Sequence, residues 1–374
     1  MTPTLPSPQA RHRFAFVAVA VGMLMLANCR GGPRADFPRP EPGVPSVHEV
    51  AVLVPMTGPD AAVGGAIANA AQLALQDSGN RSIRLSLYDT MEAGAAAAAS
   101  RAIGDGSRLI LGPLLADEAR AVAPIARRAR VPVISYSNDV TVAGDGVYIL
   151  GFVPGQAIER VIGHARQAGA VRFAGLVPAN PYGQRSSEAL LAGAQRSGGQ
   201  VVRVETYARP EDARAAARRL NAAGGFDAAL IAEGGRPAAA AAPQIRAGPR
   251  LLGSTLWAGD RTLGRIARLR GAWFAAPSDT RFGQFASRYK ARYDASPVRL
   301  ATLGYDSVLL TVRAARDWSL GRRFPERGLL EGDGYEGVDG IFRFGRNGIV
   351  QRAFEVRQVT AGGSTVVSPA PAHF

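Results

Sequence analysis

The side chains best suited to grip a small molecule fall in short loops. Thr57 stands beside Gly58, Pro113 and Leu114 lead into the paired acids Asp117 and Glu118, and Ser135, Ser137 and Asn138 lie within one stretch, SYSND. Tyr182 precedes Gly183, Glu233 precedes Gly234-Gly235, and Trp257 ends the stretch STLW. Hydroxyls and an amide of this kind hydrogen-bond a polar guest, Tyr182 can stack on it, and Glu233 can meet a cationic group. Each residue also has a plainer reading. Asp117 serves as a helix N-cap or first-turn acid worth about 1 kcal/mol. Asn138 and Asp139 form a turn by bonding their own backbone. Tyr182 and Trp257 cover an edge of the fold, and Glu233 is a solvent-facing loop acid. Asp306, beside Tyr305 in an expected helix, is a solvated or capping acid.

Nothing in this set assembles a catalyst. There is no GxSxG elbow, no GxxxxGK[ST] phosphate loop, no HExxH and no GxGxxG after a strand. His12, His48, His164 and His373 are far apart, and no metal site or cofactor is expected from them. The only cysteine, Cys29, leaves no partner for a disulfide within the chain.

The 374 residues are 47% hydrophobic and 20% charged, a globular composition long enough for two domains. The 44 basic against 30 acidic residues give a net charge of +14, almost all of it arginine. These arginines are dispersed, without an aromatic-interleaved motif, so they read as a solvated surface and not as a nucleic-acid interface. At the N-terminus, Arg11, His12 and Arg13 precede an apolar run over 14–27 that stops just before Cys29. Residues 1–29 read as an export signal, too short for a comfortable membrane span. Residues 30–46 carry prolines at 33, 38, 40, 42 and 45. Such a linker is extended, at about 3.1 Å per residue.

Beyond the linker, strands and helices alternate. Strands are expected over 49–55, 83–89, 109–112 and 131–136, with helices over 64–77, 94–105 and 117–129 between them. A second run has helices 156–168, 186–197, 210–223 and one near 237–247, with strands 173–177, 201–207, 228–232, 251–253 and 272–275. Helices 282–293 and 300–318 follow, then strands 340–344 and 353–359. Alternation of this kind builds parallel sheets with helical crossovers, so the fold class is α/β with two doubly wound lobes. Ligands of such sheets bind at the carboxyl ends of the strands, where the candidate loops above all fall. Gly64-Gly65 is expected to be a flexible element there.

The order of VLVPMTGP, LILGPL, VPVIS, Tyr182-Gly183, LGYDSVLL and VDGIFRFGRNG resembles the type I periplasmic binding proteins, in their leucine/isoleucine/valine-binding branch. The resemblance implies two lobes joined by a three-stranded hinge, with lobe one at 47–151 plus 277–330, lobe two at 152–276 plus 331–367, and a tail at 368–374. It implies a non-enzymatic receptor that clamps an amino-acid-like solute between its lobes for an ABC-type permease. The cleft candidates are then Thr57, Gly58, Pro113, Leu114, Asp117, Ser135, Ser137, Asn138, Tyr182, Glu233 and Trp257. The family's amine-binding carboxylate falls where this chain reads Ser254-Thr255-Leu256-Trp257, and two acids replace its serine-rich loop at 115–118. The run ISYSNDVTVAGDGVYILGF also resembles penicillin-binding protein activator lipoproteins, which dock on a peptidoglycan synthase. Leu26-Ala27-Asn28-Cys29 resembles a lipobox, which implies a lipid on Cys29 and a periplasmic protein anchored to a membrane, the outer one in preference to the inner.

Overall fold

The computed structural model describes residues 47–222 and 224–374, so the signal, Cys29 and the whole linker lie outside the described residues. Lobe one begins with the valine-rich strand β1 (His48–Val54), helix α1 (Ala61–Ser78) and β2 (Ile83–Asp89). It continues through α2 (Ala95–Gly104), β3 (Leu109–Leu111), α3 (Ala116–Ala129), β4 (Val133–Ser135) and β5 (Val147–Ile149). The sheet is parallel in the order β2-β1-β3-β4-β5, the doubly wound pattern in which the chain leaves β1 in opposite directions. The strand β5, only three residues long, was not expected from the sequence.

Lobe two repeats the arrangement. Its elements are α4 (Pro154–Gln167), β6 (Arg172–Pro178), α5 (Pro181–Arg196), β7 (Gln200–Tyr207), α6 (Ala213–Ala222), β8 (Ala228–Ile231), α7 (Gly235–Ala241), β9 (Arg250–Gly253) and β10 (Trp273–Ala276). The chain then returns to lobe one with α8 (Thr280–Tyr293) and α9 (Ala301–Ala314), and forms β11 (Tyr335–Gly337), β12 (Gly340–Phe344) and β13 (Val350–Arg352). Finally β14 (Glu355–Thr360) and β15 (Gly363–Ser368) extend the lobe-two sheet antiparallel, in the order β15-β14-β10-β9-β8-β6-β7.

The chain crosses between the lobes at 150–153, 277–279 and 353–354, which makes the three-stranded hinge. The last crossing lies later than the expected 331. Tyr335, Phe342, Phe344 and Val350 are buried in one cluster with Val52, Ile67, Phe285 and Leu303. The antiparallel sheet β11-β12-β13 therefore has its apolar face in lobe one, and only 355–368 joins the core of lobe two.

Each lobe fastens its first crossover helix to its first strand through a glycine. A Cβ on Gly64 would overlap the Pro55 carbonyl oxygen, and a Cβ on Gly183 would overlap that of Pro178. Gly64 is thus a close-packing residue, not the flexible element expected. Gly64→Ala is expected to lower stability by about 1–3 kcal/mol, because the atom in the way is backbone. Gly65→Ala, whose Cβ meets nothing within 4 Å, should instead raise it by about 0.5–1 kcal/mol. Urea midpoints of the two variants test the pair, and equal midpoints would contradict the close approach.

Candidate functional site

The candidate residues do fall at the carboxyl ends of the strands in both lobes, but many of their polar groups are already taken. After β1, the Thr57 hydroxyl donates to Asp89 Oδ2 at 2.7 Å, while the Met56 and Met91 N–H groups donate to Asp89 Oδ1, each at 2.9 Å. Burial alone would raise Asp89, but these donors outweigh it and hold the carboxyl below its ordinary value. Thr57 therefore shapes the loop, and Gly58 supplies its left-handed bend at φ +78°. After β3, the Pro113 carbonyl accepts from Ser135 Oγ at 3.0 Å and from the Tyr136 N–H. Asp117 is a first-turn acid with its side chain 99% exposed, paired to Arg120 at 2.7 Å. Its neighbour Glu118 turns back to accept the Leu115 N–H at 3.2 Å.

After β4, Ser135 also accepts the Ser137 N–H, and Ser137 accepts the Asp139 N–H, so a ladder of turns holds this loop. Asp139 is buried and bonds Thr141 and Arg120, the latter at 2.8 Å. Burial pushes its carboxyl up, but the Thr141 bonds and the Arg120 and Arg185 charges bring it below the ordinary value. Asn138 is exposed. What these loops leave between them is a hollow of about 290 Å³, lined by Val63, Leu114, Leu115, Tyr136, Phe152 and Leu300, with Asp60, Ser137 and Asn138 at its polar edge.

In lobe two, α5 starts earlier than expected. Asn180 accepts the Gly183 N–H at 2.9 Å as N-cap, and Pro181 takes the first helical position, so Tyr182 sits in the first turn and not in a loop. Asn180-Pro181 is a helix-start signal carried by the sequence itself. The half-buried Tyr182 donates to Ser254 Oγ at 2.8 Å, and burial raises its phenol. Glu233, half-buried after β8, accepts only the Gly234 N–H, at 3.2 Å. Tyr207 lies close by, its phenol raised by burial and then by the Glu233 charge. Trp257 is not a cleft ring. It is 1% exposed in the lobe-two core, covers Gly253 and donates Nε1–H to the Glu233 carbonyl at 2.7 Å. A residue the sequence did not single out, Arg185, stands three positions after Tyr182 on the same helix face.

The hinge holds a second group of charges. Asp306, expected to be solvated, is 2% exposed; its Oδ1 accepts the Val338 N–H at 2.8 Å and its Oδ2 has no partner among the described residues. Burial, and then the charge of Asp339, push its carboxyl up to about 7. Asp339 pairs with Arg299 at 2.6 Å and accepts the Thr302 hydroxyl. Arg352 donates to the Leu150 carbonyl at 2.7 Å, and its guanidinium lies over Phe152 and Phe342. Asp279 of the second crossing pairs with Arg299 of lobe one and Arg357 of lobe two. Ion pairs thus tie the second crossing to both lobes, and the Arg352 hydrogen bond to the Leu150 carbonyl fastens the first.

Two doubly wound sheets joined by three crossings make up the architecture, and a sequence comparison decides the family. The sequence profile described as periplasmic binding protein matches residues 48–364. The chain belongs to that family. Among solved structures, the chain is similar to the leucine binding protein LivK of Thermotoga maritima, at 23% identity over 87% of this chain and 99% of that one, with a TM-score of 0.62. It is also similar to a solute binding protein of an ABC transporter from R. palustris in complex with benzoate, at 20% identity over 87% and 98%, with a TM-score of 0.63. A protein of Rickettsia prowazekii, RP748, is 27% identical over 143 residues, which span 38% of this chain and 38% of that protein's length. The two-lobed fold expected from the sequence is therefore the fold of this family.

Proposed function

We propose that the chain is the solute-binding receptor of an ABC-type uptake system and holds an amino-acid-like solute between its lobes. The observation that supports this reading is the hollow of about 290 Å³ at the strand ends of lobe one, with both apolar and polar lining, in a chain whose second lobe carries Tyr182, Ser254 and Glu233 at its own strand ends. A small solute fits a space of this size, and lobe closure removes it from water. The families of ligand named for similar structures, leucine and benzoate, are compact and partly apolar, as the hollow requires. In this reading the protein works in the periplasm, with Cys29 as a lipid attachment and a permease as its partner. No observation favours docking on a peptidoglycan synthase.

Thermal denaturation of the purified chain against a panel of amino acids and benzoates tests the proposal. A solute at about 100 times its Kd stabilises by roughly 2.7 kcal/mol and raises Tm. A panel without any shift, together with capture of a peptidoglycan synthase, would overturn it.

A further inference from the structure

Arginines dispersed along the sequence are gathered by the fold at the amino-terminal end of the lobe-one sheet. Arg108 immediately precedes β3, and its N–H donates to the Glu49 carbonyl of β1. Arg81 lies just before β2, Arg128 stands in the last turn of α3, and Arg130 is the left-handed C-cap of that helix, ahead of β4. Arg322 reaches the same end from far along the chain. Its carbonyl accepts the Trp318 indole N–H at 3.0 Å, and Trp318 stacks at 3.9 Å on His48, the first residue of β1. Arg323 follows it. These arginines are all exposed, and none makes an ion pair among the described residues.

Three arginine side chains converge there. Arg127, Arg130 and Arg323 line a hollow of about 430 Å³ floored by Val131 and Pro132. Two acids share its wall, and both are engaged: Asp145 lies 3.8 Å from Arg127, and Glu326 accepts the Tyr148 hydroxyl at 2.9 Å. The opposite end of the sheet carries the reverse charge. Asp60, Asp89, Asp117, Glu118 and Asp139 stand at or after the carboxyl ends of β1 to β4, where Arg120 is already paired with Asp117 and Asp139. Lobe one is therefore polarised along its strands, acidic beside the candidate loops and basic at the far end. The chain that precedes residue 47 joins the folded body at the basic end, because β1 opens there with His48.

We infer that this basic end is a docking surface for an anionic lipid bilayer, with a lipid phosphate in the hollow of Arg127, Arg130 and Arg323 and the remaining arginines over neighbouring headgroups. Guanidinium forks match the oxygens of a phosphodiester. The inference goes beyond the solute-receptor reading and does not depend on it. Each charge near an anionic surface contributes only a few-fold, and salt screens it within about 10 Å, so the contact is reversible. Docked in this way, the strand ends with the candidate loops point away from the bilayer. A lipid on Cys29 and the basic face then act on one membrane, and two weak attachments to one surface reinforce each other.

Vesicle co-sedimentation of the chain from residue 29 onward, unlipidated and with Cys29→Ser, tests the inference. Vesicles of phosphatidylglycerol and phosphatidylcholine in equal parts are expected to bind it, pure phosphatidylcholine is not, and added salt is expected to release it. Arg130→Gln combined with Arg323→Gln should weaken partitioning about tenfold or more. Arg214→Gln combined with Arg218→Gln removes the same charge from exposed positions on α6 of lobe two and should leave partitioning within about twofold. Arg30, Arg34 and Arg39 of the linker are common to every variant, so the comparison isolates the face. Equal losses for the two pairs, or no binding to the anionic vesicles at low salt, would overturn the inference. Tighter binding to a single-stranded oligonucleotide than to the vesicles would also overturn it and make the face a nucleic-acid surface. Both pairs should keep the wild-type Tm shift with a stabilising solute, so failure here leaves the receptor reading intact.

Discussion

Changing Arg352 to methionine is expected to cost the folded chain about 3–5 kcal/mol at pH 8, and distinctly less at pH 5. Arg352 is 7% exposed and stands between the buried acids Asp306 and Asp339 and the Leu150 carbonyl. Methionine keeps the packing against Phe152 and Phe342 but leaves the acids facing each other without this cation. The pH dependence comes from Asp306. In the unfolded chain it loses its proton near 3.8, whereas in the folded chain it keeps the proton until about 7. Its contribution to stability is therefore fully present below about pH 4 and is lost as pH rises toward 7. At about 1.4 kcal/mol for each pH unit, that loss amounts to about 4 kcal/mol. Without Arg352 the ionised form of Asp306 becomes still less favourable, so the penalty of the substitution grows with pH. Asp306→Asn should abolish the wild-type decline between pH 4 and 7. Urea denaturation of the three proteins at pH 5 and pH 8 reads both effects, and a penalty for Arg352→Met that is equal at the two pH values would show that Asp306 does not titrate as described.

The second large effect is structural where a binding role was an open alternative. Trp257→Ala is expected to cost about 3–5 kcal/mol, the range for emptying a buried aromatic site. The ring packs near Phe274 and over Gly253, and it fastens the loop that carries Glu233. Trp257→Phe keeps most of the packing and loses one hydrogen bond, for about 1 kcal/mol. If Trp257 only supports the core, the phenylalanine variant binds solute within threefold of wild type. A hundredfold loss of affinity with unchanged stability would return Trp257 to the cleft.

The alternation of apolar runs made both doubly wound lobes legible, because buried parallel strands and amphipathic helices write different periods into a sequence. The short strands β5, β11 and β13 were not legible, since three residues carry no period. The small sheet β11-β12-β13 was placed in the wrong lobe for a related reason: Phe342 and Phe344 announce burial but not the neighbour that buries them. At the candidate site, the strand-end rule pointed to loops that do lie at the carboxyl ends of the strands. It could not show that the Thr57 hydroxyl belongs to Asp89, 32 residues away, or that Arg120 neutralises both Asp117 and Asp139. Asp306 followed the same logic, because a carboxylate in a helix reads as solvated until α9 is found buried between α1 and the small sheet. Arg185 went unnoticed among dispersed arginines, although its distance of three residues from Tyr182 on a helix was countable once the Asn180-Pro181 start was recognised.

Closure of the two lobes on a bound solute is the central claim, and an inter-lobe distance tests it most directly. With Cys29 changed to serine, spin labels placed at the exposed positions Arg128 on α3 and Glu188 on α5 report that distance by pulsed electron resonance. The expected result is a saturable shift to a shorter, narrower distribution as the stabilising solute is added, with a midpoint equal to its calorimetric Kd. A distribution unchanged at saturation with every solute of the panel would contradict it.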